Sequence, residues 1–226
     1  MKRQENLVEL MDDPHANPEL LHATYQQFKQ VNSWFAGWNT LYIRYIAPLF
    51  TKQRKPLSIL DIGAGPGDIL LGLIQRATKD GRHLQATGID PDPRAAAFQQ
   101  AHRAHARFEY LTTSDQKLAD SGERFDVVIS NHLLHHLTPD QIQHLCLNAM
   151  RLSKSLILFN DIHRNRLAYL LFRCLIPLAF RNSFVWEDGS RSILRSYTAG
   201  ELQAIVPEGW HVIRFHPFRL LVYYAH

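Results

Sequence analysis

In this chain of 226 residues, the stretch DIGAGPGD (residues 61–68) is the first that could do chemistry. Its glycines, at 63, 65 and 67, are too dense for a helix or strand interior. They let a backbone turn sharply and set N–H groups against a ligand with no side chain between. No Gly-Lys-Ser/Thr comes after it, so this is not a P-loop, and the glycine spacing does not spell the dinucleotide fingerprint GxGxxG. Asp61 and Asp68 would repel a pyrophosphate; a carboxylate at a strand end suits a ligand with an ammonium group and a positive centre. Turn and helix-cap chemistry is the other use for these two aspartates. About twenty residues beyond the last glycine stands Asp90, placed to accept hydrogen bonds from both ribose hydroxyls of an adenosine. A second group is histidine: His132, His135 and His136 in SNHLLHHL, and His163 in NDIH. Histidine titrates nearest neutral pH and suits proton transfer. One of His135 and His136 could instead pack inward while the other is solvated, since successive helical residues point about 100° apart.

These residues need elements to position them. Apolar and aromatic residues at helical spacing over 18–49 predict two or three helices before any strand. KPLSILDIGAG then reads as a strand and GDILLGLIQRATKDG as a helix ending at Gly81. HLQATGIDP, FEYLTTSD, RFDVVISN and SLILFND read as further strands, with helices at PRAAAFQQAHRAH and from the capping box at Thr138 to Gln141. This alternation predicts an α/β, Rossmann-like, doubly wound and mostly parallel sheet. A helix at 166–180, a polar loop WEDGSRS and a second capping box at Thr198 to Glu201 come next. WHVIRF and FRLLVYYA, around His216-Pro217, complete seven strands as an antiparallel hairpin. The division expected is an N-terminal helical lid (1–50) and a main domain (51–226), with a helix/loop insertion at 165–198 forming part of the pocket. All four histidines and the glycine loop then fall at the C-terminal edge of the sheet, where open α/β folds bind ligands.

Composition narrows the class. With 46% hydrophobic residues the chain can bury a proper core. The 25 basic residues are scattered and nearly matched by 21 acidic ones, which argues against a nucleic-acid stripe. Cys146 and Cys174 lie in apolar helix-like stretches without metal-ligand spacing, so both are expected as buried free thiols, and no metal is expected. The charged start lacks a signal-peptide core, and LAYLLFRCLIPLAF is shorter than the roughly 20 apolar residues of a membrane span. A buried or interfacial helix suits it, in a cytoplasmic protein.

The sequence resembles the class I S-adenosylmethionine-dependent methyltransferases. The match is DIGAGPGD for the glycine loop, GIDPD for the acidic strand end, TTSD for the loop near adenine, and FDVVISNHLLHHL for the fourth strand with its Leu-His-His-Leu extension. The chain's ends, MDDPHANPELLHATYQQFKQVNSWFAGW and NDIHRNRLAYLLF with DGSRSILRSYTAGEL, look like a subgroup encoded beside bacterial type III polyketide synthases, acting on phenolic or pyrone-type lipids.

The resemblance implies S-adenosylmethionine as cofactor. Gly63, Ala64, Gly65 and Gly67 would border its methionine and ribose part, with Asp61 near the amino group. Asp90 and Pro91 would hold the ribose and Asp115 the adenine amine, unless Asp115 is a plain loop carboxylate. Asn131 and His132 would face the methionine. Transfer to a phenolic or polyketide-like oxygen needs a base, for which His136, His163 and His135 are the candidates. Trp34 and Trp38, with Phe184 and Trp186, would line an aromatic acceptor pocket unless they are plain core. Arg164 or Arg195, with Arg166 and Arg191 nearby in sequence, would hold an acidic acceptor unless paired with Glu187, Asp188 or Asp161. The expected partner is a small-molecule acceptor rather than nucleic acid, for a monomer or homodimer. RNA or protein methylation, or a non-catalytic cofactor-binding subunit, are the alternatives; Ser130-Asn131-His132-Leu133 lacks the prolines of base-amine methylation.

Overall fold

The computed structural model describes residues 1–51, 56–101, 108–215 and 217–226. Strands β1 (Leu57–Ile62), β2 (Leu84–Ile89), β3 (Glu109–Leu111), β4 (Phe125–Asn131), β5 (Ser153–Ile162), β6 (His211–Phe215) and β7 (Arg219–Ala225) form one sheet, in the order β3-β2-β1-β4-β5-β7-β6. Pairs among β1 to β5 are parallel, and β7 runs antiparallel to both β5 and β6. This is the Rossmann-like doubly wound sheet with its C-terminal hairpin. The strand order reverses between β1 and β4, so a crevice opens there at the strands' C-terminal ends.

Helices cover both faces. One core layer joins β4 residues Phe125 and Val128 to Ile142, Leu145 and Ala149 of α6 (Pro139–Leu152) and Leu202 of α9 (Ala199–Ile205). Both helices begin with complete capping boxes, at Thr138 and Thr198. The other layer joins Ile59, Val127 and Leu158 to Leu70, Leu73 and Ala77 of α3 (Asp68–Lys79). Beyond α3, Gly81 takes the left-handed conformation that ends a helix. Helix α4 (Pro93–Ala101) succeeds β2; the rest of the helix expected there, the start of the first strand and His216 lie outside the described residues.

The first 50 residues divide in two. α1 (Pro18–Phe35) is capped by Asn17 and packs Leu21 and Tyr25 against Ala95 and Phe184. From α2 (Trp38–Leu41) through a wide π turn (Tyr42–Ile46), Leu41, Tyr42 and Ile46 are buried in the core layer of α3. Leu41, Tyr42 and Ile46 thus pack into the sheet's own core, whereas Leu21 and Tyr25 of α1 pack against Ala95 and Phe184.

Three expectations need correction. FEYLTTSD is strand only to Leu111; Ser114 then accepts a hydrogen bond from Lys117 N–H and starts α5 (Asp115–Asp120). The polar loop WEDGSRS is α8 (Val185–Arg195). Its polar residues read as loop because they face inward: Asp188, Ser190 and Ser192 are buried, and Asp188 accepts hydrogen bonds from the Leu10 and Met11 N–H groups. Cys146 is buried in α6, whereas Cys174 is exposed on α7 (Arg166–Ala179).

Candidate active site

A cavity of about 460 Å³ lies over the C-terminal ends of β1, β2, β4 and β5, walled by α1, α7 and α8. The volume is in the range of small-molecule sites. Its polar end is the glycine loop. Gly65 has φ +50° and open space where a side chain would stand, so a ligand can approach its backbone. Gly67 does other work: at φ +76°, an added Cβ would lie 2.4 Å from Phe108 Cζ, and Gly67 does not line the cavity. Its bare backbone lets β3's approach close over the loop, a correction to the ligand-bordering role.

Three carboxylates surround this end. Asp61 is buried with Oδ1 lacking any hydrogen-bond partner; burial, then Asp68 and Asp90, push its pKa well up. Asp68 is raised to about 6 by burial, against a 2.9 Å hydrogen bond from Asn32 Nδ2. Asp90 accepts from Gly65 N–H (3.0 Å) and Asp92 N–H (2.9 Å), and burial again raises it. A cation bound here would relieve all three, which fits a ligand with ammonium and sulfonium groups.

The floor is the end of β4. Asn131 Oδ1 accepts from Trp38 Nε1 (3.0 Å) and Arg219 Nη2 (3.1 Å). His132 sits at φ +59°, an uncommon backbone conformation for a residue other than glycine and one that recurs at functional sites. Its Nε2 lies 2.9 Å from Arg219 Nη1 and must accept, which places any proton of the neutral ring on Nδ1. Burial, then Arg219, holds its pKa well below the usual value. Arg219 also donates to Asn160 Oδ1 and is held down to about 10 by burial.

The other two histidines lie on a short 3-10 turn, Leu134–His136. His135 is buried between carboxylates: Nδ1 is 2.7 Å from Asp161 Oδ1, and Nε2 is 3.3 Å from Glu9 Oε1 but outside hydrogen-bond geometry. Burial opposes its charge, yet Asp161 and Glu9 lift its pKa to about 9. Glu9 in turn is drawn down to about 2 by His136 and His135 despite its own burial. His136 is part-exposed, with Nδ1 3.3 Å from Asp12 Oδ2 and Nε2 3.6 Å from Glu9 Oε1. Ligand atoms of Glu9, His135 and His136 all lie within 4.8 Å of one another, spacing a divalent transition ion could use.

Of the residues expected to hold a ligand, Asp61, Gly63, Ala64, Gly65, Asp90, Asn131, His132, His135 and His136 line the cavity. Others do not. Pro91 is exposed beside it. Asp115 accepts a 2.7 Å hydrogen bond from Asn148 of α6. His163 stands outside the lining; burial, then Arg214 and Arg164, lowers its pKa. Trp34 is exposed, packed edge-on to Phe180, and Trp38 is buried beneath Asn131. Arg164 pairs with Glu201 at 2.6 Å and donates to the Ser196 and Met1 carbonyls. Arg195 donates to the His136 carbonyl from behind. Aromatic spacing alone could not tell core from pocket, and the arginines found carbonyls and carboxylates nearer than any acceptor. Glu9, Asp161 and Arg219 were missed. Asp161 and Arg219 stand at strand ends on the ligand edge, a positional signal; nothing local marked Glu9.

Residues 59–155 match a family model described as a methyltransferase domain. Curated relatives are named ubiquinone biosynthesis O-methyltransferase: that of Azorhizobium caulinodans is 38% identical over 88 residues, covering 38% of this chain and 32% of the relative. The mitochondrial one of Arabidopsis thaliana is 26% identical over 126 residues, 54% of this chain and 37% of its own. The alignments thus span well under half of either relative. Among solved structures, a plantazolicin methyltransferase in complex with SAH has a TM-score of 0.60 at 14% identity, covering 95% of this chain and 91% of that one. The structure of a putative O-methyltransferase from Nostoc punctiforme has a TM-score of 0.59 at 16% identity, covering 99% of this chain and 64% of that one. At those identities the likeness concerns the fold.

Proposed function

We propose that this chain, whose residues 59–155 match a methyltransferase-domain model, is a class I S-adenosylmethionine-dependent methyltransferase that methylates a hydroxyl of a small acceptor whose apolar body lies between α1, α7 and α8. The observation that carries the reading is one cavity that joins the carboxylate and glycine end to an apolar wall, with His135 and His136 between them. The names of the curated relatives support oxygen as the methylated atom. A phenolic or polyketide-like acceptor fits a wall that includes Tyr25, Phe28, Phe35 and Phe172.

When bound, S-adenosylmethionine supplies an activated methyl group for in-line transfer. The chain's own work is positioning, desolvation and one proton. Asp90, itself held by the Gly65 N–H, would bind the ribose side, and Asp61 and Asp68 would face the cationic part. Arg219 fixes His132 and Asn131 as a rigid floor. His135, with its pKa lifted to about 9, remains protonated near neutral pH and is an anchored cation, not a base. His136 takes the acceptor's proton at Nε2, while Asp12 orients the ring through Nδ1. His163, outside the cavity, has no part in it.

A screen of phenolic acceptors with methyl-labelled donor tests this. Label should pass to an acceptor oxygen, and His136→Gln should abolish most turnover while calorimetry shows unchanged donor affinity. Donor binding without transfer to any acceptor would return the chain to a cofactor-binding subunit.

A further inference from the structure

Helix α7 carries its leucines on the outside. Leu167, Leu170, Leu171, Leu175 and Leu178 recur at helical spacing and are 42–73% exposed, while Ala168 and Ile176 face inward. Trp34, 49% exposed, packs against Phe180 at the helix end and, with Phe35, extends the patch. A contiguous apolar stripe of this kind marks an interaction surface.

Charge indicates what covers it. Residues 166–181 (RLAYLLFRCLIPLAFR) contain three arginines and no Asp or Glu. Arg166, Arg173 and Arg181 are exposed, and Arg173 lies over the rings of Tyr169 and Trp186. Two copies of this face would set arginine against arginine, whereas an anionic lipid surface complements both the leucines and the guanidinium groups. The helix has 14 residues, and among the described residues no helix is long and apolar enough to cross a membrane, so it would lie in the plane of the interface. The stripe also runs into the cavity. Phe35, Leu171 and Leu175 line it while being more than 40% exposed, so it opens through the patch.

We propose that α7 seats the protein on an anionic lipid surface, and that the methyl acceptor carries an apolar tail drawn from that surface between Phe35, Leu171 and Leu175. The second clause rests on the acceptor cavity argued above; the first does not.

The test uses the full chain with vesicles of phosphatidylcholine alone or mixed with phosphatidylglycerol. The chain should sediment with the mixed vesicles at low salt and much less with the neutral ones, and high salt should release it. Leu170→Glu with Leu178→Glu, neither in the cavity lining, should lower vesicle affinity at least about tenfold. The same variant should keep wild-type circular dichroism and donor affinity, which separates loss of docking from misfolding and from failure of the methyltransferase reading. For the tail, a phenol carrying a long alkyl chain should compete for the cavity far better than phenol, by intrinsic fluorescence quenching. A chain that stays in the supernatant with both vesicles overturns the docking surface. So does a leucine variant that binds undiminished, or sedimentation velocity showing a dimer that this variant dissociates. Equal competition by the two phenols overturns the tail.

Discussion

At the donor end of the cavity, Gly65 and Asp90 meet across only 25 residues, within one β1–α3–β2 unit. At the acceptor end, Ser192 Oγ donates to Glu9 Oε1 across 183 residues, and Asp188 holds Leu10 N–H across 178. The first is a property of one supersecondary unit; the second exists only when the chain has closed on itself. Donor binding should therefore respond to local changes, and acceptor chemistry to changes far away in sequence.

The largest separation is expected from His136→Ala, which should lower turnover roughly 10²- to 10⁴-fold, the usual worth of a positioned base, with donor affinity within about twofold. If donor affinity fell equally, the two ends would not be independent. Next comes Glu9→Gln. Removing a buried partner of His135 should cost about 3 kcal/mol of stability in denaturant titration, again with donor binding retained. Because the folded pKa of His135 is raised, its contribution is full below about 6.5 and is lost as pH rises through about 9. In Glu9→Gln that loss should be smaller and complete at lower pH, because the folded pKa lies nearer the unfolded one.

On the donor side, Asp90→Ala should weaken S-adenosylmethionine binding by roughly 2–3 kcal/mol in calorimetry, the scale of lost charge-assisted hydrogen bonds, with some loss of stability because the Gly65 and Asp92 N–H groups lose their acceptor. Wild-type affinity would remove Asp90 from the donor site. A smaller effect belongs to pH. Asp68, with its pKa near 6, attracts a cationic ligand only once ionised, so donor affinity should rise about tenfold from pH 5 to 7. A flat profile would take Asp68 out of the donor's field. The smallest expected change is none: dialysis against a chelator should leave activity unaltered. Loss restored by zinc would reassign Glu9, His135 and His136 from proton transfer to metal ligation.

How far the sequence could be read obeys the same division. The seven strands, the mostly parallel sheet with its C-terminal hairpin and the glycine loop were legible because strand periodicity, caps and the Gly-rich turn are local signals. Gly67 was misassigned because its contact, Phe108, comes from another strand's approach. The acceptor wall was largely illegible. α8 buries Asp188 and Ser192, so its pattern is inverted relative to an ordinary amphipathic helix, and α7 exposes the leucines that a periodicity rule assigns to the core. Trp34 and Trp38 stand within a few positions of Asn32 and Phe35, two of the α1 residues that do line the cavity. Side-chain direction, not residue type, decided which of them face it.

The hydrogen bond between Ser192 and Glu9 also fixes an order in time. At typical synthesis rates of about 5–20 residues per second, the 183 residues between them take roughly ten to forty seconds to appear. Over roughly the last hundred residues of that interval the glycine loop and Asp90 are already made, while Glu9, Leu10 and Met11 still lack α8. A nascent chain can therefore acquire its donor half before its acceptor half exists, and during that wait the apolar wall of α1 is without its partner. Newly made chains would be at their most aggregation-prone then, and a binding partner that shields α1 would have its use before the protein is finished rather than after.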